Sequence, residues 1–193
     1  MPASATPSLP RHYAITGAAD SEEAWWQHFE RLLALPDALI QLRLRPGQHA
    51  APAALLAEAV RRARARGQRI LVNGPPALAQ STGADGVHLT AHRLLACEQR
   101  PLQPPLLVGA SCHDEAELRH AERIGVDFVC LSPLYPTPSH PGVAALGLAR
   151  FKELVAASSV PVYALGGVGP ADLAAVRAAG AYGVAGISAF WGC

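Results

Sequence analysis

The feature that most constrains this chain is a recurrence. Short apolar, β-branched runs alternate along its whole length with Ala-, Leu- and Arg-rich stretches of helical pattern. Eight such runs can be marked, at 12–17, 39–43, 69–74, 86–90, 106–111, 128–134, 162–168 and 183–189. Several are continuously apolar, as parallel strands covered on both faces are. The helical stretches carry their own punctuation. Ser21 is placed to cap a helix running to Leu35, ahead of Pro36. The stretch 52–66 stops at Gly67, 113–124 at Gly125, 148–157 before Val160-Pro161, and 170–179 at Gly180.

A weak internal echo supports the same unit. Gly83-Ala-Asp-Gly-Val, Gly125-Val-Asp-Phe-Val and Gly180-Ala-Tyr-Gly-Val each read as a helix-ending glycine that leads straight into a strand. Strand–helix alternation repeated about eight times predicts a (β/α)8 barrel. A doubly wound open sheet has the same pattern and stays as the alternative. At 193 residues the barrel is minimal, with brief helices after the third and fourth strands. One domain over 1–193 is expected, with 1–10 disordered and 101–105 a loop.

Composition removes several function classes. Half of the residues are hydrophobic and 16% are charged, so the chain can bury a core. Sixteen basic residues against fifteen acidic ones leave a net charge of +1, which gives no electrostatic case for nucleic acid or an anionic membrane. No apolar run is long enough to span a bilayer. Cys97, Cys112, Cys130 and Cys193 form no metal-type spacing. A reduced, cytoplasmic protein is expected.

In a barrel the chemistry sits where the strands end. Gly166-Gly167-Val168-Gly169-Pro170 follows the seventh run and opens a helix, and Ile187-Ser188 follows the eighth. Glycines let backbone N–H groups approach an anion, and a helix start adds partial positive charge, so a phosphate site is expected there. Gln41, Arg43 and Arg45 alternate and so share one face, where an inward Gln and Arg call for a polar ligand. The Pro-rich stretch 132–142 carries Thr137, Ser139 and His140. His88 and His92 lack a third ligand for a metal site. Arg61, Arg62, Arg64 and Arg66 read as a solvated helix face, Trp25 and Trp26 as packing. Adjacent Cys112 and His113 do not suit a nucleophile pair.

Taken in order, these segments resemble a known family. His12-Tyr-Ala-Ile-Thr16, Gln41-Leu-Arg43, Val72-Asn73, Gly83 to Leu89, Gly109-Ala-Ser-Cys-His113, Ser132 to Thr137, Ala164 to Val168 and Val184 to Ser188 follow the order of thiamine phosphate synthases and TenI proteins. The resemblance covers 12–190 and implies a (β/α)8 barrel. It implies that Gly166, Gly167, Ile187 and Ser188 hold a thiazole phosphate, that Gln41 and Thr137 contact a pyrimidine, and that Arg43, Arg45, Asn73 and Ser111 face a pyrophosphate. Ser139 joins the substrate-binding set.

The departures from the family are specific. Gly74 stands where the synthase has an Asp after its third-strand Asn. Thr90-Ala-His-Arg93 replaces an acidic run after the fourth strand. Both magnesium carboxylates are missing from these places. No cofactor is therefore expected, with Mg²⁺ held only by a substrate's pyrophosphate. His140 and Arg45 stand where the synthase has lysines. The strand-six histidine by which TenI proteins isomerise the thiazole phosphate aligns with Pro133. His140, with Arg43 and Arg45, is the catalytic candidate left. A narrower likeness, carried by Ser139-His-Pro-Gly142, 161–167 and Phe190-Trp191, is to the synthase-like domain fused behind MutT-type Nudix domains. The expected partners are a phosphorylated small molecule, a Nudix domain and further copies of the chain. The competing reading is a non-catalytic ligand-sensing or partner domain on the same barrel.

Overall fold

A computed structural model describes residues 8–44, 47, 49–137 and 142–192. The strands are β1 (His12–Ile15), β2 (Ala38–Leu42), β3 (Arg69–Asn73), β4 (Gly86–Leu89), β5 (Leu107–Cys112), β6 (Phe128–Leu131), β7 (Val162–Ala164) and β8 (Gly183–Gly186). All pair in parallel with their sequence neighbours, and β8 returns to β1 with Val184 opposite His12 and Gly186 opposite Ala14. The sheet is a closed barrel, which excludes the open doubly wound alternative. The helices are α1 (Glu22–Leu33), α2 (Pro52–Ala65), α3 (Pro76–Thr82), α4 (Ala91–Leu95), α5 (Glu115–Ile124), α6 (Gly147–Ala157), α7 (Leu173–Ala178) and α8 (Ser188–Trp191).

Alternation along each strand divides the core in two. Tyr13, Ile15, Leu39, Leu71, Leu107, Phe128, Cys130, Tyr163 and Ala185 fill the inside of the barrel. Ala14, Ile40, Val72, Val87, Val108 and Val129 point outward into a larger core beneath the helices. In α1, Trp25, Phe29, Leu32 and Leu33 recur at helical spacing and are buried. The Ser21 hydroxyl accepts the Ala24 N–H at 3.1 Å and starts that helix.

The threefold echo is one structural joint. Gly83, Gly125 and Gly180 have φ of 68°, 77° and 94°, the left-handed turn that glycine permits. Two residues on, the N–H groups of Asp85, Asp127 and Tyr182 donate to Ile70, Val108 and Val162 carbonyls at 2.8, 2.8 and 2.7 Å. The two aspartates close the joint further. Asp85 accepts the Ile70 N–H at 2.8 Å, and Asp127 accepts the Val108 N–H at 2.6 Å. Asp127 also pairs with Arg100 at 2.7 Å, with both side chains only 18% exposed.

Part of the segment expected to be disordered is held. Tyr163 and Tyr182 donate to the Pro10 and Leu9 carbonyls, and Arg69 donates to Ser8 at 2.7 Å. Arg11 stacks 3.9 Å above the Tyr182 ring. Residues 8–11 thereby cover the end of the barrel where the strands begin, and 1–7 lie outside the described residues.

Asp127→Ala should lose about 3 kcal/mol in urea denaturation, because it leaves the Val108 N–H without its acceptor and the Arg100 guanidinium, which keeps only backbone carbonyls, without its counter-charge. Asp127→Asn, which keeps one acceptor, should lose clearly less.

Candidate functional site

The strands end on a two-part pocket. One part is lined by Gln41, Arg43, Asn73, His88, Thr90, Ser111 and His113. The other is lined by Thr137, Gly166, Gly167, Val168, Ile187 and Ser188. Ser132, Leu165 and Ile187 line both, so the parts are continuous. Of the residues expected to form the site, Gln41, Arg43, Asn73 and Ser111 come together in the first part. Thr137, Gly166, Gly167, Ile187 and Ser188 come together in the second. Arg45, Ser139 and His140 lie outside the described residues.

Gln41 occupies an inward position on β2, two residues beyond the core residue Leu39, and is 1% exposed. It needs partners there. Asn73 Nδ2 donates to Gln41 Oε1 at 2.8 Å, and Gln41 Nε2 donates to the Tyr13 hydroxyl at 3.0 Å. The Tyr13 hydroxyl lies 3.1 Å from His88 Nδ1, and His88 Nε2 lies 2.9 Å from the Ser111 hydroxyl. The tautomer of His88 sets the direction of the row. Tyr13 already accepts from Gln41, so it donates to His88 Nδ1. His88 carries its proton on Nε2 and donates to Ser111. The Ser111 hydroxyl keeps its own proton for the pocket.

Burial, and then the positive charge of Arg43, push the His88 pKa down to about 3. The ring is neutral throughout the physiological range, as the relay requires. Burial likewise raises the Tyr13 phenol well above its ordinary value.

Neither Tyr13 nor His88 stood among the expected site residues, nor did Thr16. The Thr16 hydroxyl accepts the Arg43 N–H at 2.8 Å and donates to the Arg43 carbonyl at 3.1 Å, which fixes the backbone beneath that arginine. The inward alternation that marked Gln41 marks Tyr13 and His88 as well. With both ring nitrogens turned to Tyr13 and Ser111, His88 does not share a ligand with His92, which lies exposed on α4.

The second part is built by two docked loops. Tyr135 N–H donates to the Gly166 carbonyl at 3.0 Å, and Leu134 N–H to Leu165 at 2.8 Å. Gly166 and Gly167 have φ of 98° and 67°. A Cβ on either would stand 2.8 Å from the β6 loop, at Pro133 and Tyr135 respectively. The pair therefore serves loop packing as well as any ligand. The N–H groups of Gly166, Gly167 and Val168 have no partner among the described residues.

The helix starts at this place are short. After β7 the chain enters a short 3-10 turn at Pro170–Asp172, and the Asp172 carboxylate takes the Gly169 N–H at 2.9 Å. The helices that follow β7 and β8 have six and four residues. An anion at this place would rest on loop N–H groups and the Ser188 hydroxyl instead.

No carboxylate lines either part of the pocket among the described residues. No group of three His, Cys, Asp or Glu suited to a metal ion occurs among them.

The family model described as thiamine monophosphate synthase matches residues 12–190. The chain belongs to that family, whose work is in thiamine biosynthesis. It is 34% identical over 181 residues to the thiamine-phosphate synthase of Thiobacillus denitrificans, covering 93% of this chain and 86% of that one. It is 44% identical over 128 residues to the thiamine-phosphate synthase of Methanoculleus marisnigri, covering 65% and 61%. The fold is similar to that of thiamine phosphate pyrophosphorylase from Pyrococcus furiosus, with a TM-score of 0.74 over 95% of this chain and 88% of that one at 23% identity. Among the described residues no helix is long and apolar enough to cross a membrane.

A histidine that stays neutral in the fold but charges when unfolded couples stability to pH. The free ring titrates at 6.5 and the folded one at about 3. The unfolded chain binds more protons in that interval, so this contribution is complete above pH 6.5 and is lost as pH falls toward 3. The expected slope is about 1.4 kcal/mol per pH unit. His88→Gln should flatten it in urea titrations from pH 7 to pH 4.

Proposed function

We propose that this family member binds a thiazole phosphate. The phosphate would rest on the Gly166–Val168 N–H groups and the Ser188 hydroxyl, with Ile187 beside it. The single observation that carries this is the convergence of those unpartnered N–H groups and a hydroxyl on one pocket. Gln41 and Thr137 would face a pyrimidine. Arg43, Asn73 and Ser111 would face a pyrophosphate, with the Ser111 proton aimed by the His88 relay. Arg45 and His140, in the loops beyond β2 and β6, complete the catalytic set on this reading. Ser139 adds a hydroxyl to substrate binding.

The lining favours a ligand held without protein carboxylates. Any Mg²⁺ would then be carried by a pyrophosphate group, because a hard cation prefers oxygen ligands. The same lining supports the second reading, a ligand-sensing or partner domain that binds but does not turn over. The likeness to synthase-like domains behind Nudix domains supports a Nudix domain as partner. Self-association into an oligomer and a cytoplasmic location belong to the same proposal.

Calorimetric titration with thiazole phosphate, with and without Mg²⁺, tests the reading. Binding should be magnesium-independent, and Ser188→Ala should weaken it by about tenfold, the worth of one hydrogen bond to a charged group. No binding in either condition would reject it. Incubation with both synthase substrates and Mg²⁺ separates the two readings. Formation of thiamine phosphate marks an enzyme, and binding without product marks a ligand-sensing domain.

A further inference from the structure

His113 is a further side chain of the first part of the pocket. Leu107 lies inside the barrel and Ser111 lines the pocket, so their side of β5 is the inner one. His113 continues that alternation one step above Ser111 and lines the pocket. Its ring is aimed from behind. Glu117, on the first turn of α5, accepts both the His113 backbone N–H at 2.7 Å and the ring Nδ1–H at 2.9 Å. The cap of that helix is supplied separately, by Asp114 accepting the Glu117 N–H at 2.9 Å. The Glu117 side chain is 15% exposed and the His113 side chain 41%, so the carboxylate is sheltered and the ring reaches solvent.

We propose that His113, held by Glu117, is the switchable cation of the pyrophosphate end of the pocket. With Nδ1–H given to Glu117, the neutral ring presents a lone pair on Nε2. On meeting a phosphoryl oxygen, Nε2 takes one proton from the buffered solvent, and the buffer is left as its conjugate base. The resulting imidazolium donates one N–H to Glu117 and the other to the ligand. Glu117 and Asp114, on its own helix, and Arg43, beyond β2, are the charged groups around it, and His88 on β4 is neutral. An imidazolium between the Glu117 carboxylate and an anionic ligand has a partner on each side.

This inference rests on the pyrophosphate end of the proposed function, and its test is separate from that of the thiazole phosphate site. Inorganic pyrophosphate is titrated into the full chain at neutral pH without added divalent metal, in two buffers of different ionisation heat. The wild type should bind and take up protons. His113→Gln should weaken binding by about tenfold and take up fewer protons per pyrophosphate, with an unchanged unfolding temperature. Glu117→Gln, which keeps an acceptor for the backbone N–H, should fall between the two in proton uptake. Unchanged affinity and proton uptake in His113→Gln would overturn the inference, and so would a wild type that binds no pyrophosphate. If thiazole phosphate still binds, the failure lies at the pyrophosphate end: with His113 where the wild type binds pyrophosphate, and with that whole end where it does not. If it does not, the reading of the whole pocket fails.

Discussion

Gln41, Tyr13 and His88 are buried inside the barrel, where a polar side chain needs a hydrogen-bond partner. The row running from Asn73 through Gln41, Tyr13 and His88 to Ser111 is therefore the constraint on which the upper half of this molecule depends. It crosses five strands and ties β3, β2, β1, β4 and β5 at the level where the apolar filling stops. Each member is held by its neighbours, and with Gln41 donating to Tyr13 and Tyr13 to His88 the row has a direction. Its last link is the Ser111 hydroxyl, at the floor of the pocket. Removing a member would leave a buried donor or acceptor without a partner and would release the orientation of those beyond it.

Below the row the barrel is apolar. Above it two different surfaces meet. On the β2–β5 side the lining is side chains with N–H and O–H donors, among them Arg43, Asn73, Ser111 and His113. On the β7–β8 side it is mostly backbone, set by the docking of the β6 and β7 loops through Gly166 and Gly167. A ligand with one phosphate at a fixed place and a second anionic group across a ring system would meet both surfaces at once. On the proposed reading, a thiazole phosphate would meet the second surface and a pyrophosphate the first.

Much of this was legible in the chain. Continuous apolar runs gave the strands because both faces of a barrel strand are covered, and Gly83, Gly125 and Gly180 marked the joints because their turns need positive φ. The strand ends were less legible. The runs at 128–134 and 162–168 stay apolar past Leu131 and Ala164 because Leu134 and Val168 are buried in the loops rather than in the sheet. Gln41 stood out as a polar residue at an inward position. His88 and Tyr13 did not, because a histidine or tyrosine on a strand shows nothing of its partner 75 residues away. After β7 a 3-10 turn at Pro170–Asp172 stands where the sequence pattern continued as one helix, and Asp172 takes the Gly169 N–H. For Arg45, Ser139 and His140, which lie outside the described residues, the site assignment rests on the sequence alone.

The central claim is that a neutral His88, protonated on Nε2, orients the Ser111 hydroxyl toward the pocket. The most direct measurement is the ¹⁵N chemical shifts of the histidine rings followed from pH 8 to pH 4, with His88 assigned through its loss in His88→Gln. The account predicts a ring that stays neutral at pH 5, with an acceptor-type Nδ1 and a protonated Nε2. A His88 that becomes charged near pH 6.5, or that carries its neutral-form proton on Nδ1, would contradict it.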